Sequence, residues 1–454
     1  MSEENFDDAL TPWSTLTQVS AARVRPLGHA VDARLAIPGS KSLSNRALIL
    51  AAMAEGTTML SGLLRSDDTY WCADALRRLG AEIAVDGMSA TVRGVGRRRP
   101  SPKGAIHVGS SGTLARFLPP FLAAGETGEW RVTASRQMTG RPVAPLFEAL
   151  RQGGAAIAFE GDAGCFPAVF TGDSFAGGRL RMSGRVSSQF ISGMLLGAVQ
   201  SRHGLELTVE GGIVQSAFVG MTLAAMRHFG AVVEADTGLE HFTVAPTGYR
   251  ARDMVVDADA STATYFAALT AVTGGRVSLT NLTPDTLQPD YGFMALLERL
   301  GCSVTSGAAG TTVASGGIRA GALRGGFTAD MRPLSDAVPT LAAIAPFADS
   351  PITIAGVEHI RHHECDRIDA MCRSLRAVGV SVEEHRDGLT ITPAHPRFAV
   401  LDTFEDHRIA MSLAVLGAAA AGVELRNPAC VSKTCPTFFD LFGDVGVETM
   451  MVAG

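Results

Sequence analysis

No Cys-x-x-Cys pair, no long apolar run, no excess of positive charge and little tyrosine mark this sequence. Its 7 cysteines are odd in number. That argues against a disulfide frame or a cysteine zinc site and fits free thiols in a reducing compartment. No apolar stretch reaches the roughly 18 residues of a membrane span. Lys and Arg total 39 against 45 Asp and Glu, a net charge of −6. A nucleic-acid surface is thereby disfavoured, and any cationic cluster must be local. Residues 1–31 open with Glu3, Glu4, Asp7 and Asp8. They lack a signal-peptide core and the acid-poor bias of a transit peptide, so a cytoplasmic protein with a flexible tail is expected. What is abundant is glycine, 50 of 454 residues, which implies many tight turns.

The chain is organised around Pro38-Gly-Ser-Lys41-Ser42-Leu-Ser-Asn-Arg46. Ala33 to Ile37 reads as a strand, and Ala47 to Ala54 as an apolar run of helix formers. The polar residues between them fall where a strand turns into the first turn of a helix. Backbone N–H groups there lack helical partners, and the positive end of the dipole adds to Lys41 and Arg46. This is an anion site, with phosphate the obvious anion. It is not a P-loop, because Leu35 stands where the Walker pattern needs glycine. A Ser-rich helix cap with solvated cations is the plainer alternative.

A repeat runs through the chain. An amphipathic helix ends in an apolar residue and glycine, and a β-prone segment follows. The glycines are Gly80, Gly154, Gly230, Gly301, Gly379 and Gly446, between 67 and 78 residues apart. Each is read as a left-handed residue ending a helix. Each repeat opens with a strand, a polar junction and a helix. A second strand follows, such as Leu205 to Val209, then a second helix and a hairpin, such as Ser381-Val382 with Leu389 to Ile391. The order is βαβαββ, six times. A repeat of about 70 residues is small to fold alone, so three per domain are expected in two similar α/β domains.

The charged motifs fall at these junctions. They include Arg116, Arg141, Arg361-His-His363-Glu364-Cys-Asp-Arg367, Asp406-His407-Arg408 and Lys433. A basic region able to hold two anions follows, although any single arginine could instead be a surface salt bridge. Asp336 and Glu364 are acid/base candidates. Alternatively Asp336 caps a helix and Glu364 pairs with Arg367 at i, i+3. His359, His362 and His363 lie near carboxylates, yet no His-Glu-x-x-His exists and the cations repel a divalent ion, so no metal is expected. His407 is either an acid/base group or a structural histidine.

Pro38 to Arg46, Gly112-Thr-x-x-Arg116, Gly140-Arg141-Pro142, Ser187-Ser-Gln-Phe190, Glu364-x-Asp-Arg367, Asp406-His-Arg408 and Lys433-Thr-x-Pro436 stand in the order seen in the 5-enolpyruvylshikimate-3-phosphate synthase family. The chain resembles that family over roughly residues 30–445. The resemblance implies an inside-out α/β barrel in each of two domains that close over the substrates. Residues 40–257 would form the first domain and 258–454 the second, with residues 1–39 a tail and strand returning to the second. It implies transfer of the enolpyruvyl group of phosphoenolpyruvate to the 5-hydroxyl of shikimate 3-phosphate, without cofactor or metal, in a monomer. Lys41, Ser42, Arg46, Ser187, Ser188, Gln189, Ser216, Asp336, His359 and His363 would hold shikimate 3-phosphate. Lys41, Gly112, Arg141, Gln189, Arg367, Arg408 and Lys433 would hold phosphoenolpyruvate. Asp336 would be the base, and Glu364 with Lys41 the proton-transfer pair.

The chain departs from the family at several positions. Ser110-Ser111 replaces Asn-Ala, Phe117 replaces proline, and His363 and His359 replace a lysine and an asparagine near shikimate 3-phosphate. Ser216-Ala217-Phe218 lacks the usual Lys-Pro-Tyr. Glyphosate occupies the phosphoenolpyruvate site of the family. Ser111 and Phe117 flank Gly112, so reduced sensitivity is expected. The sister enzyme acting on UDP-N-acetylglucosamine fits less well, since its cysteine is missing from Arg136 to Arg141. A non-catalytic anion binder, or an enzyme for a modified shikimate-like acceptor, are the other readings.

Overall fold

The structure, a computed structural model, describes residues 9–97, 103–125, 128–318, 321 and 323–454. It divides into two domains. The first holds residues 9–13 and Gly39–Val256, the second Ser14–Pro38 and Asp257–Gly454. Residues 9–13 therefore lie with the first domain, whereas the whole N-terminal stretch was expected with the second. The reason is local. Trp13 packs edge-on against Tyr70, Thr11 donates to Asp67 at 2.7 Å, and Trp71 donates to the carbonyl of Ala9.

Each domain contains three sheets. In the second repeat, strand Lys103–His107 runs parallel to Glu129–Thr133, which pairs antiparallel with Ala168–Thr171, and that with Ile157–Phe159. The same order recurs in the third repeat, from Gly178–Ser183, and in the fifth, from Phe327–Asp330. The other sheets borrow strands. Strand Val31–Leu35 precedes the first helix but pairs in parallel with Gly275–Leu279 of the fourth repeat. The first repeat receives Tyr249–Arg250 and Met254–Val255 on its strand Ala54–Ser61. In the sixth, Val19–Val24 lies between Val423–Arg426 and Thr449–Ala453. The strand read before the first helix is thus real, but it opens the fourth sheet.

The helices that open the repeats are apolar on all sides, which suits a helix surrounded by protein. All of Gly112–Ala124 is buried, as is all but Gln189 in Ser188–Ala198. These two helices touch through glycine. A Cβ on Gly193 would lie 2.1 Å from the carbonyl oxygen of Arg116, and one on Gly197 would lie 2.3 Å from Pro120. In the second domain Ala260–Thr273, Val338–Ile344 and His407–Ala419 form the equivalent buried core.

The six repeat glycines all have φ between 80° and 103°. Around each, the glycine N–H bonds three residues back and the next N–H five back, as with Gly80 to Arg77 and Ala81 to Leu76. This is the Schellman ending, and it supplies donors to the last helical carbonyls. Arg77, Arg151, Arg227 and Arg376 bond the carbonyls of Ile83, Ile157, Val233 and Val382, each six residues on. The arginine of Leu-Arg-x-x-Gly is therefore a clamp from helix to following strand.

Candidate active site

In the first domain the polar junctions fold as helix starts. Ser40, Ser111 and Ser187 accept from Leu43, Leu114 and Gln189 backbone N–H groups at 3.5, 3.3 and 3.2 Å. Lys41 is the first residue of its helix, where a cation opposes the dipole. Asp68, itself buried, compensates from 3.8 Å. Lys41 and the first-turn N–H groups thus place positive potential where an anion could bind. Ser188 is buried, while Ser42 and Gln189 are partly exposed.

Arg46 lies about one turn beyond Lys41 in the same helix. It donates to Thr222 Oγ1 at 2.9 Å, to the Ser42 carbonyl at 2.9 Å and to the Phe218 carbonyl at 3.1 Å, and it stacks on Phe117. Burial lowers its pKa to about 9, which leaves it protonated at neutral pH. Its position makes it a brace between helices Lys41–Ala52 and Ala217–His228. Arg116 braces similarly, donating to Gln189 Oε1 at 2.5 Å and to the Pro142 carbonyl. Arg141 is buried against Gly112, and a Cβ on that glycine would fall 2.8 Å from Arg141 Nη1. Ser216 is exposed at its helix start and makes no cap bond with its side chain.

The second domain gathers its charges into one network. Arg367 is 1 % exposed, and all five of its N–H donors are engaged. Nε and Nη2 meet Asp406 at 2.8 and 3.3 Å, and Nη2 also meets Glu364 Oε2 at 2.9 Å. Nη1 meets Asp336 Oδ1 and His363 Nδ1, each at 3.0 Å. Arg408 donates to Asp336 Oδ2 at 2.8 Å, and Lys433 reaches Glu364 Oε1 at 3.1 Å. Three cations, Arg367, Arg408 and Lys433, therefore balance three carboxylates, Asp336, Glu364 and Asp406.

This geometry resolves several alternatives. Asp336 caps no helix: Ala337 holds the cap position of Val338–Ile344, and Asp336 bridges two arginines. Glu364 does pair with Arg367 at i, i+3, but it also bridges to Lys433. Asp406, read only as part of a motif, is the fully buried partner of Arg367 and also caps helix His407–Ala419. His407 is buried beside it. His363 accepts from Arg367, so it is neutral there; burial first and then the Arg367 charge push its pKa well down. His359 meets Ser335 Oγ at 3.0 Å, and burial lowers its pKa too. Sequence reasoning missed Asp68 and Asp290. Asp68 lies in the first turn of helix Asp67–Arg78, where acids are common, and Asp290 in a turn that carries no motif.

Six such repeats, with helix starts suited to anions in one domain and a network of cations and carboxylates in the other, fit an enolpyruvyl transferase-type protein. The model of the EPSP synthase (3-phosphoshikimate 1-carboxyvinyltransferase) family matches residues 27–442, and the chain belongs to that family. It is 46% identical over 446 residues to 3-phosphoshikimate 1-carboxyvinyltransferase 2 of Halalkalibacterium halodurans, covering 98% of each chain. It is 39% identical over 418 residues to the 3-phosphoshikimate 1-carboxyvinyltransferase of a Nostoc species, covering 92% of this chain and 97% of that one. The fold matches a solved EPSP synthase from Acinetobacter baumannii with a TM-score of 0.80 at 24% identity, over 95% of this chain and 100% of that one.

Proposed function

We propose that the chain transfers the enolpyruvyl group of phosphoenolpyruvate to the 5-hydroxyl of shikimate 3-phosphate and releases phosphate. The observation that carries this at residue level is the balanced network around Arg367. Two carboxylates, Asp336 and Glu364, each bridge two cations. An entering phosphate or carboxylate can replace them on those cations, and the displaced groups become free to take or give protons.

Phosphoenolpyruvate is assigned to Lys41, Gly112, Arg141, Gln189, Arg367, Arg408 and Lys433. Shikimate 3-phosphate is assigned to Lys41, Ser42, Arg46, Ser187, Ser188, Gln189 and Asp336, and Arg46 also bonds the Ser42 carbonyl on its own helix. Ser216, His359 and His363 complete that set. Asp336 takes the proton of the acceptor hydroxyl as its oxygen bonds to C2 of phosphoenolpyruvate. Glu364 with Lys41 supplies the proton that turns the methylene into a methyl group. In the second half a methyl proton is removed, the C–O bond to phosphate breaks, and the enol ether double bond forms.

Phosphate release is expected with shikimate 3-phosphate as acceptor and not with UDP-N-acetylglucosamine. Release with the latter alone, or with neither, would overturn the assignment. One observation favours the modified-acceptor reading: His363 is neutral where the family carries a lysine. A 3-phosphate analogue preferred over shikimate 3-phosphate in the same assay would select it. In the same assay, reduced glyphosate sensitivity is expected, because Ser111 caps and Phe117 lies within the helix that begins at Gly112. An inhibition constant far below the KM for phosphoenolpyruvate would refute that. A cytoplasmic location fits the seven free thiols, and the net negative charge disfavours nucleic-acid partners; a monomer is expected from the family resemblance alone. Among the described residues no helix is long and apolar enough to cross a membrane.

Gly112→Ala tests the phosphoenolpyruvate assignment. The new Cβ would push the Arg141 guanidinium aside. KM for phosphoenolpyruvate should rise about tenfold with kcat changed by less than about threefold. An unchanged KM would remove Arg141 from that site.

A further inference from the structure

Asp290 lies against the charged network, though no motif marks it. It sits in the turn Pro289–Gly292 and is 2 % exposed. Its Oδ2 accepts from the Ser261 hydroxyl. Among the described residues its buried Oδ1 meets no donor. Its turn packs against the turn Arg332–Ala337 and helix Ala260–Thr273, and charged and polar groups of three elements act on it. Asp259 and Ser261 come from the start of helix Ala260–Thr273, Asp336 from the turn Arg332–Ala337, and Arg408 from helix His407–Ala419. The adjoining helix Phe293–Arg299 presents buried Phe293 and Met294, while its Glu298 and Arg299 are exposed. The cation nearest in role, Arg408, is committed to Asp336 at 2.8 Å.

Charge balance then decides the state of Asp290. Three cations already match three carboxylates, so a fourth buried anion would leave the network negative. That is unfavourable in a low-dielectric interior and repels an anionic substrate. Burial and then the Asp336 charge push the Asp290 carboxyl up to about 7, against the pull of Arg408.

We propose that Asp290 is a positioning residue for the base: as the protonated member of the Asp336–Asp290 pair, it leaves Asp336 the sole carboxylate on Arg408 and keeps the network able to admit an anion. This rests on the transferase reading above. When Asp290 ionises, the network gains a negative charge, so affinity for phosphoenolpyruvate falls as pH rises. It recovers fully below the Asp290 transition.

The test is the KM for phosphoenolpyruvate between about pH 5.5 and 9, at saturating shikimate 3-phosphate, for wild type, Asp290→Asn and Ser261→Ala. Wild type should show a rise of about tenfold through neutrality, and Asp290→Asn less than about twofold, with kcat at low pH within about threefold of wild type. Ser261→Ala removes a donor that favours the carboxylate, so its rise should move to higher pH. A wild-type rise retained in Asp290→Asn, or a uniform loss at every pH, would overturn the proposal. Should Asp290→Asn not fold, an unmoved rise in Ser261→Ala overturns it alone. Wild type that does not turn over refutes the transferase reading. Wild type that turns over with a flat profile refutes only the role of Asp290.

Discussion

Asp336→Asn should lower kcat for phosphate release by about three orders of magnitude while phosphoenolpyruvate binds the variant more tightly than wild type. The two effects have one source. Asparagine can still accept from Arg367 Nη1 and Arg408 Nη2, at the positions where Asp336 accepts at 3.0 and 2.8 Å. It cannot take a proton from the acceptor hydroxyl. The network changes from three carboxylates and three cations to two and three. A trianionic substrate then meets net positive charge and displaces a neutral amide, not a carboxylate. Its dissociation constant should fall about three- to tenfold by calorimetric titration. Ordinary loss of a binding residue gives weaker binding, so the direction is diagnostic. A kcat within tenfold of wild type would show that Asp336 is not the base. Weaker binding would show that the anion does not use Arg367 and Arg408.

The repeat was legible because its signals are local. A left-handed glycine after a helix needs only its own turn, and all six readings coincide with Schellman endings. The serine junctions were legible for the same reason, since a cap reaches two or three residues. Strand ownership was not. The pairing of Val31–Leu35 with Gly275–Leu279 spans 244 residues and leaves no mark on either strand. The acidic groups were half legible. Asp336 and Glu364 were visible as acids near cations, but the capping role open to Asp336 could be dismissed only once Arg408, 72 residues away, was seen beside it. Asp406 and Arg367 lie 39 residues apart, and neither motif alone says that they meet. The partners of Arg46 were not legible either: Thr222 lies 176 residues away and Phe218 172.

Arg367→Ala should cost the second domain about 3–5 kcal/mol at neutral pH, because Asp336, Glu364 and Asp406 lose a shared cation inside the protein. Domain-specific probes make the loss readable. The 3 tryptophans, Trp13, Trp71 and Trp130, all belong to the first domain. Tryptophan fluorescence therefore follows the first domain, while circular dichroism follows both. The denaturant midpoint by circular dichroism should fall, and the fluorescence transition serves as an internal reference. The pH dependence supplies the sign. Without its guanidinium the cluster binds protons more tightly folded than unfolded. A group with a raised folded pKa stabilises below that pKa and loses this contribution as pH rises through it. The deficit against wild type should thus be largest near pH 7.5 and shrink toward pH 5, by roughly 1 kcal/mol or more. Arg367→Lys keeps the charge but cannot fork to three carboxylates, so it should fall between the two. A deficit of under about 1 kcal/mol, or one equal at both pH values, would mean that the three carboxylates are not held by Arg367.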